Sequence, residues 1–136
     1  MVPSSDAPIG AQSAASRLRI LFVEDELLIR LVVSDELREV GYEVVECFNA
    51  DEAIILLQAG VRFDLIVSDV RMPGGVDGMG LLAFTKELYP DVPVILASGH
   101  LEPTLALRHG ATRFLSKPYG IDVVVDAVRA ELATAQ

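Results

Sequence analysis

The segment Asp64-Leu65-Ile66-Val67-Ser68-Asp69 holds an aliphatic run with no polar alternation, closed by an acid. A strand with one wet face alternates apolar and polar residues, whereas a strand covered by helices on both faces stays apolar throughout. Residues 64–68 therefore predict a central strand in a sheet sandwiched between helices. The neighbouring runs agree. Leu18 to Val23 upstream and Pro93 to Ala97 downstream are largely apolar in the same way. Glu43 to Cys47 and Thr112 to Ser116 are interrupted by Glu43, Glu46, Thr112 and Arg113, as suits the edges of a sheet. Between these five expected strands, stripes recur at helical spacing: Ile29, Val33, Leu37 and Val40; Ala50, Ala53, Ile54 and Leu57; Leu81, Phe84, Thr85 and Leu88; Ile121, Val124, Val128 and Leu132. Strict alternation of strand and helix implies parallel strands joined by right-handed crossovers.

The fold class that satisfies this pattern is α/β: a doubly wound five-stranded parallel sheet of flavodoxin-like order 2-1-3-4-5. A chain of 136 residues fits one such domain. Residues 1–17, rich in Ser, Ala, Pro and Gly, read as a flexible lead-in, and residues 18–136 as the folded unit. Eleven Lys and Arg against 20 Asp and Glu give a formal charge of −9, which disfavours direct contact with nucleic acid or an acidic membrane surface. Asp6 and Arg17 cancel, so that charge belongs to residues 18–136. Cys47 is the only cysteine, which excludes an intrachain disulfide and a cysteine-based zinc site and suits a reducing cytoplasm. No apolar run approaches the roughly 20 residues of a membrane span, and the first 17 residues lack the basic opening and apolar stretch of a signal peptide.

In this fold ligands sit beyond the carboxyl ends of strands where the order reverses, between the first and third strands. Glu24, Asp25 and Glu26 follow the first strand and Asp69 follows the third, so several carboxylates converge there. Clustered acids repel one another, and a divalent cation removes the conflict. A hard, all-oxygen donor set without His or Cys favours Mg²⁺ over zinc. Taken singly, Asp25 reads more readily as a helix cap and Asp69 as the start of a turn. After the fourth strand, Ser98 and Gly99 leave room for a ligand or simply form a turn. After the fifth, the Lys117 ammonium can meet a phosphoryl oxygen or the acidic cluster. Carboxylates, hydroxyl and ammonium at four strand ends form one constellation.

These residues resemble the receiver domain of two-component response regulators over about residues 18–133. The likeness lies in Leu21-Phe22-Val23-Glu24-Asp25-Glu26, in Asp64 through Pro73, in Asp77-Gly78, in Pro93 through Gly99 and in Lys117-Pro118. The resemblance implies that Asp69 accepts a phosphoryl group from a histidine kinase or phosphotransfer protein. It implies that Asp25 and Asp69 bind Mg²⁺ with the Arg71 backbone carbonyl, Glu24 assisting through water, and that Ser98 and Lys117 contact the phosphoryl oxygens. Phe114 occupies the place of the family's switch aromatic, but it has no hydroxyl, so only its packing can report a switch; it reads equally as edge-strand core. Arg71 and His100 lie two residues beyond Asp69 and Ser98, where the resemblance implies side chains that tune the lifetime of the acyl phosphate; Arg71 also reads as a solvent-facing charge. His109 reads as a surface residue and Cys47 as a small buried apolar one.

Two departures stand out. The stretch from His100 to His109 is short for a fourth helix and contains Pro103, tolerated only in a first turn, so a shortened helix is expected and the output face of helix four, strand five and helix five is put in question. The loop around Gly74 and Gly75 has one extra residue. The expected function is a signalling switch rather than an enzyme, acting without an attached output module because the chain stops after the last helix; a fragment of a longer protein reads the same. A receiver-like module that binds proteins without phosphorylation is the alternative. An Asp-nucleophile phosphohydrolase would carry another acid two residues after Asp69, where Arg71 stands, and a flavin or nucleotide binder would not place Glu24, Asp25 and Glu26 in its phosphate loop.

Overall fold

In a computed structural model, residues 17–133 are described, so the expected lead-in lies almost wholly outside the described residues. Strands and helices alternate: β1 (Arg19–Val23), α1 (Leu27–Val40), β2 (Glu43–Cys47), α2 (Ala50–Gln58), β3 (Leu65–Asp69), α3 (Gly78–Leu88), β4 (Val94–Ser98), α4 (Pro103–Arg108), β5 (Arg113–Ser116) and α5 (Ile121–Ala133). The sheet is five-stranded in the order β2-β1-β3-β4-β5, every pairing parallel, as the hydrophobic pattern predicts.

Every residue of β3 and β4 is buried, whereas β2 and β5 keep part-exposed positions, so composition separated centre from edge correctly. One face of the sheet packs Ile20, Phe22, Val67 and Ile95 against Val33 and Leu37 of α1 and Val124 and Val128 of α5. The other packs Leu21, Val23, Ile66 and Leu96 against Ala53 of α2 and Leu81 and Leu82 of α3. Alternate side chains of one strand thus serve two cores. Two members of the expected stripes stay outside: Leu88 is 51% exposed at the end of α3 and Ile121 is 39% exposed at the start of α5. Both lie in terminal turns, where a helix runs past the sheet that covers its middle.

Local signals set the boundaries. Asn49 caps α2 by accepting from Glu52 N–H at 2.9 Å, and the Glu52 carboxylate accepts from Phe48 N–H at 2.7 Å. Asp77 caps α3 through Gly80 N–H at 2.9 Å. Gly41 ends α1 at φ 119°, a left-handed conformation natural to glycine. Pro103 opens α4 in its first turn, and the helix runs only six residues, the shortened form the sequence predicts.

The expected strand bounds need one correction. Segments 64–68 and 93–97 are observed one residue later, so Asp69 and Ser98 close β3 and β4 instead of following them. The sheet's hydrogen bonding continues past both ends: Val70 N–H donates to the Ala97 carbonyl and Lys117 N–H to the Ser98 carbonyl, each at 3.0 Å. A polar side chain at a strand's last residue reads as loop from sequence, although its backbone is still in the ladder. Leu18 and Thr112 likewise fall just outside β1 and β5.

Candidate functional site

The carboxyl ends of β1, β3, β4 and β5 meet in one cleft of about 250 Å³, lined by residues including Asp25, Asp69, Arg71, Ser98, His100 and Lys117. Its walls are fixed by backbone. Glu24 N–H donates to the Cys47 carbonyl at 3.0 Å, which extends the β1–β2 ladder into the acidic loop as Val70 and Lys117 extend it elsewhere. Arg30 of α1 adds a second hold: its guanidinium donates to the Glu24 carbonyl at 2.8 Å and pairs with Glu46 of β2 at 3.4 Å.

Carboxylate oxygens of Glu24, Asp25 and Asp69 all lie within 4.8 Å of one another, a group able to hold a metal ion. Glu24 is fully buried, Asp69 5% exposed, and Asp25 only half-buried. Buried carboxylates need partners, and these have them. Lys117 Nζ donates to Asp69 Oδ1 and Oδ2 at 3.0 and 3.1 Å and to Glu24 Oε1 at 3.4 Å. Glu24 Oε2 accepts from Glu26 N–H at 3.0 Å. Asp25 is not consumed as a helix cap: the N-cap of α1 is Glu26, which makes no side-chain cap bond.

Two buried acids facing one ammonium leave one negative charge uncompensated. Burial, then a hydrogen bond and Coulomb repulsion from Glu24, push the Asp69 carboxyl up to about 8 against the pull of Lys117. Burial works against the Lys117 charge, but the bonds and attraction of Asp69 and Glu24 outweigh it and shift the ammonium upward. The two directions are consistent: the ammonium stays charged, and the acidic pair is favoured by any further positive charge brought beside it. A hard divalent ion fits this donor set because it supplies the missing charge to an all-oxygen cluster.

Ser98, 5% exposed, turns its hydroxyl toward the loop that follows, accepting from His100 N–H at 3.0 Å and Leu101 N–H at 3.1 Å. Both acceptor positions are thereby engaged, and the O–H proton remains to donate. Arg71 and His100 are exposed at the cleft. Phe114 is half-buried and packs with the core on the α2–α3 side, while His109 is exposed. Cys47 is buried, and its thiol is pushed up to about 11 by burial, with Glu52 adding and Arg30 opposing.

Two contributors escape the sequence reading. Tyr119 stacks near the site, Lys117 Nζ lying 6.0 Å from its ring centre, and burial followed by Glu24, Asp69 and Glu26 pushes its hydroxyl upward. Its place just after Lys117-Pro118 was the available signal. Arg30, one helical turn beyond Glu26, was readable as a cation beside an acidic loop.

The sequence profile described as the response regulator receiver domain matches residues 20–129, and the chain belongs to that family. It is 38% identical over 113 residues to the response regulator protein FleR of Pseudomonas aeruginosa, covering 81% of this chain and 24% of FleR. It is 35% identical over 137 residues to the transcriptional regulatory protein PdtaR of Mycobacterium tuberculosis, covering 98% of this chain and 62% of PdtaR. The chain thus spans less than two thirds of either relative. Among solved structures, the receiver domain of NtrX from Brucella abortus superposes with a TM-score of 0.76 at 33% identity, covering 85% of this chain and 98% of that one. The receiver domain of Francisella response regulator 1452 superposes with a TM-score of 0.81 at 25% identity, covering 88% and 100%. Phosphorylation-based two-component signalling fits these findings; the phosphohydrolase and phosphorylation-independent readings are not favoured. Among the described residues no helix is long and apolar enough to cross a membrane.

Proposed function

We propose that residues 18–136 form a phosphoacceptor receiver domain in which Asp69 takes a phosphoryl group from a histidine kinase or phosphotransfer protein. The observation that carries this is the placement of Lys117 Nζ on both oxygens of a buried Asp69, beside Glu24 and Asp25. In the transfer an Asp69 oxygen forms the new bond to phosphorus as the donor's phosphorus–nitrogen bond breaks, the electron pair leaving with the imidazole. Little covalent help is required; alignment and charge compensation are.

Lys117 supplies one positive charge to the transferring oxygens, and Asp25, Asp69 and the Arg71 carbonyl would hold Mg²⁺, with Glu24 acting through water. When bound, that ion adds charge compensation and keeps Asp69 ionised. Participation of Asp69, Ser98 and Lys117 in the chain's own phosphorylation and dephosphorylation is the extent of its catalysis.

The switch follows from Ser98. Its free O–H proton points to a phosphoryl oxygen as its natural acceptor, and because His100 and Leu101 N–H hang on the same oxygen, a shift of Ser98 drags the start of the β4–α4 loop with it. Phe114, part-exposed on neighbouring β5, repacks in response. The donor docks where an apolar groove of about 520 Å³ between α1 and α5 shares Glu26 and Lys117 with the cleft. A cytoplasmic location accords with both partners.

Incubation with Mg²⁺ and a small phosphodonor, followed by intact-mass measurement, tests the reading. One added phosphoryl group is expected on the native chain and none on Asp69→Asn. A label that survives this substitution assigns the nucleophile elsewhere.

A further inference from the structure

The loop between β3 and α3 turns through the adjacent Gly74 and Gly75, which lie outside the acidic cluster. The far end of the loop is sealed: Gly78 N–H donates to the Val70 carbonyl at 2.8 Å, and a side chain on Gly78 would collide with the Asp69 backbone oxygen. The tip rests on the start of α2, where Asp51 Oδ2 accepts from Gly75 N–H at 2.9 Å. Gly74 adopts φ +113°, and a Cβ there would collide with the same Asp51 oxygen. Asn49 lies nearby, but its side-chain oxygen is engaged in capping α2.

We propose that Asp51 is a positioning residue for the acidic site, its carboxylate gathering in the loop tip at Gly74 and Gly75 so that the Arg71 segment stays seated at the cleft. This rests on the reading of Asp25, Asp69 and the Arg71 carbonyl as a divalent-cation site. A loop with adjacent glycines has many conformations, and a cation site that draws one ligand from its backbone loses affinity in proportion to the time the loop spends elsewhere. One hydrogen bond from Gly75, made possible by the close approach of Gly74, removes much of that freedom. The fixed partner is a helix held on the sheet through Ala50, Ala53 and Leu57, all buried. Asp51 thereby serves a site whose ligands it does not touch.

The test compares the full chain with Asp51→Ala, Asp51→Asn and Gly74→Ala, measuring Mg²⁺ affinity by titration calorimetry and amide exchange of residues 71–77 without metal. Asp51→Ala is expected to bind Mg²⁺ about tenfold more weakly, the loss of roughly one hydrogen bond's ordering, with faster loop exchange. Asp51→Asn retains an acceptor and should stay close to the parent. Gly74→Ala breaks the same contact from the loop side and also strains a left-handed backbone position, so it should weaken binding at least as much as Asp51→Ala. If Asp51→Ala fails to fold, parent-like affinity and exchange in Gly74→Ala overturn the proposal. Parent-like affinity and exchange in Asp51→Ala, or an Asp51→Asn protein as impaired as Asp51→Ala, overturns the proposal; the latter would leave only a favourable charge at a helix start. Should the parent bind no Mg²⁺, the cation-site reading fails, and unchanged loop exchange in Asp51→Ala would then independently overturn the anchoring role.

Discussion

The two sides of the acidic cleft are held by different contacts. On the β1–β3 side Glu24 and Asp69 are buried, their backbones are carried by ladder hydrogen bonds, and Arg30 clamps the acidic loop to β2. On the β4 side Ser98 opens into an exposed turn and a six-residue helix that buries only Ala106. Reacting groups work when held within a fraction of an ångström, whereas a segment that must change state works when its alternatives lie close in free energy. Under the proposed function, chemistry falls to the first side and response to the second.

The sharpest way to break this division is to remove Lys117. Lys117→Ala should slow phosphorylation of Asp69 by a small phosphodonor about 10²-fold or more, the scale of losing one preorganised donor to transferring oxygens. The domain should still fold, because Asp69 can keep its proton. A rate within a few-fold of the parent would place the charge compensation elsewhere.

A second test acts on the same side through pH. With the metal-free folded value of Asp69 raised from 3.8 to about 8, the folded state holds a proton that the unfolded chain releases across that window. The unfolded state then binds fewer protons, so this group's stabilisation is full below about 4 and is lost as pH rises to about 8. Thermal midpoints of metal-free protein should therefore carry a falling contribution through neutrality that Asp69→Asn abolishes. Added Mg²⁺ should raise the midpoint most at the alkaline end, where the carboxylate is already free. A Mg²⁺ effect greatest at acid pH would reverse the assignment.

What the sequence disclosed follows the same division. Central strands, edge strands and the strand-end residues Glu24, Asp25, Asp69 and Lys117 were readable because burial on two faces imposes an unbroken apolar run, and the topology then brings the polar residues at its ends together. The shortened α4 was readable from Pro103 because proline acts on its own backbone. What was not readable depends on partners remote in the chain. The bond from Gly75 to Asp51, 24 residues away, leaves no periodicity. Asp69 and Ser98 were placed one position too far out because a polar side chain conceals a backbone still bonded in the ladder.

The response side is tested by Ser98→Ala. The change removes the acceptor of two backbone N–H groups and should destabilise the domain by about 1–2 kcal/mol, since both donors can partly turn to water. Amide exchange at His100 and Leu101 should accelerate even without phosphorylation. In the parent, phosphorylation should alter exchange through residues 99–108, and in the variant that alteration should be lost although Asp69 is still modified. An undiminished response in Ser98→Ala would sever the hydroxyl from the switch.

The smallest effect is expected at Cys47, which makes it a reporter for the side that should not move. Its backbone carbonyl accepts from Glu24 N–H, its side chain is buried, and its thiol is raised to about 11, so little thiolate exists near neutrality and access is closed as well. Native protein near pH 8 should react with a disulfide reagent at least about 10²-fold more slowly than unfolded chain. Phosphorylation should leave that protection nearly unchanged while the β4–α4 loop responds. If Cys47 instead becomes reactive when Asp69 is modified, the β1–β2 end opens during signalling, and the separation of a fixed reacting side from a yielding one is wrong at its origin.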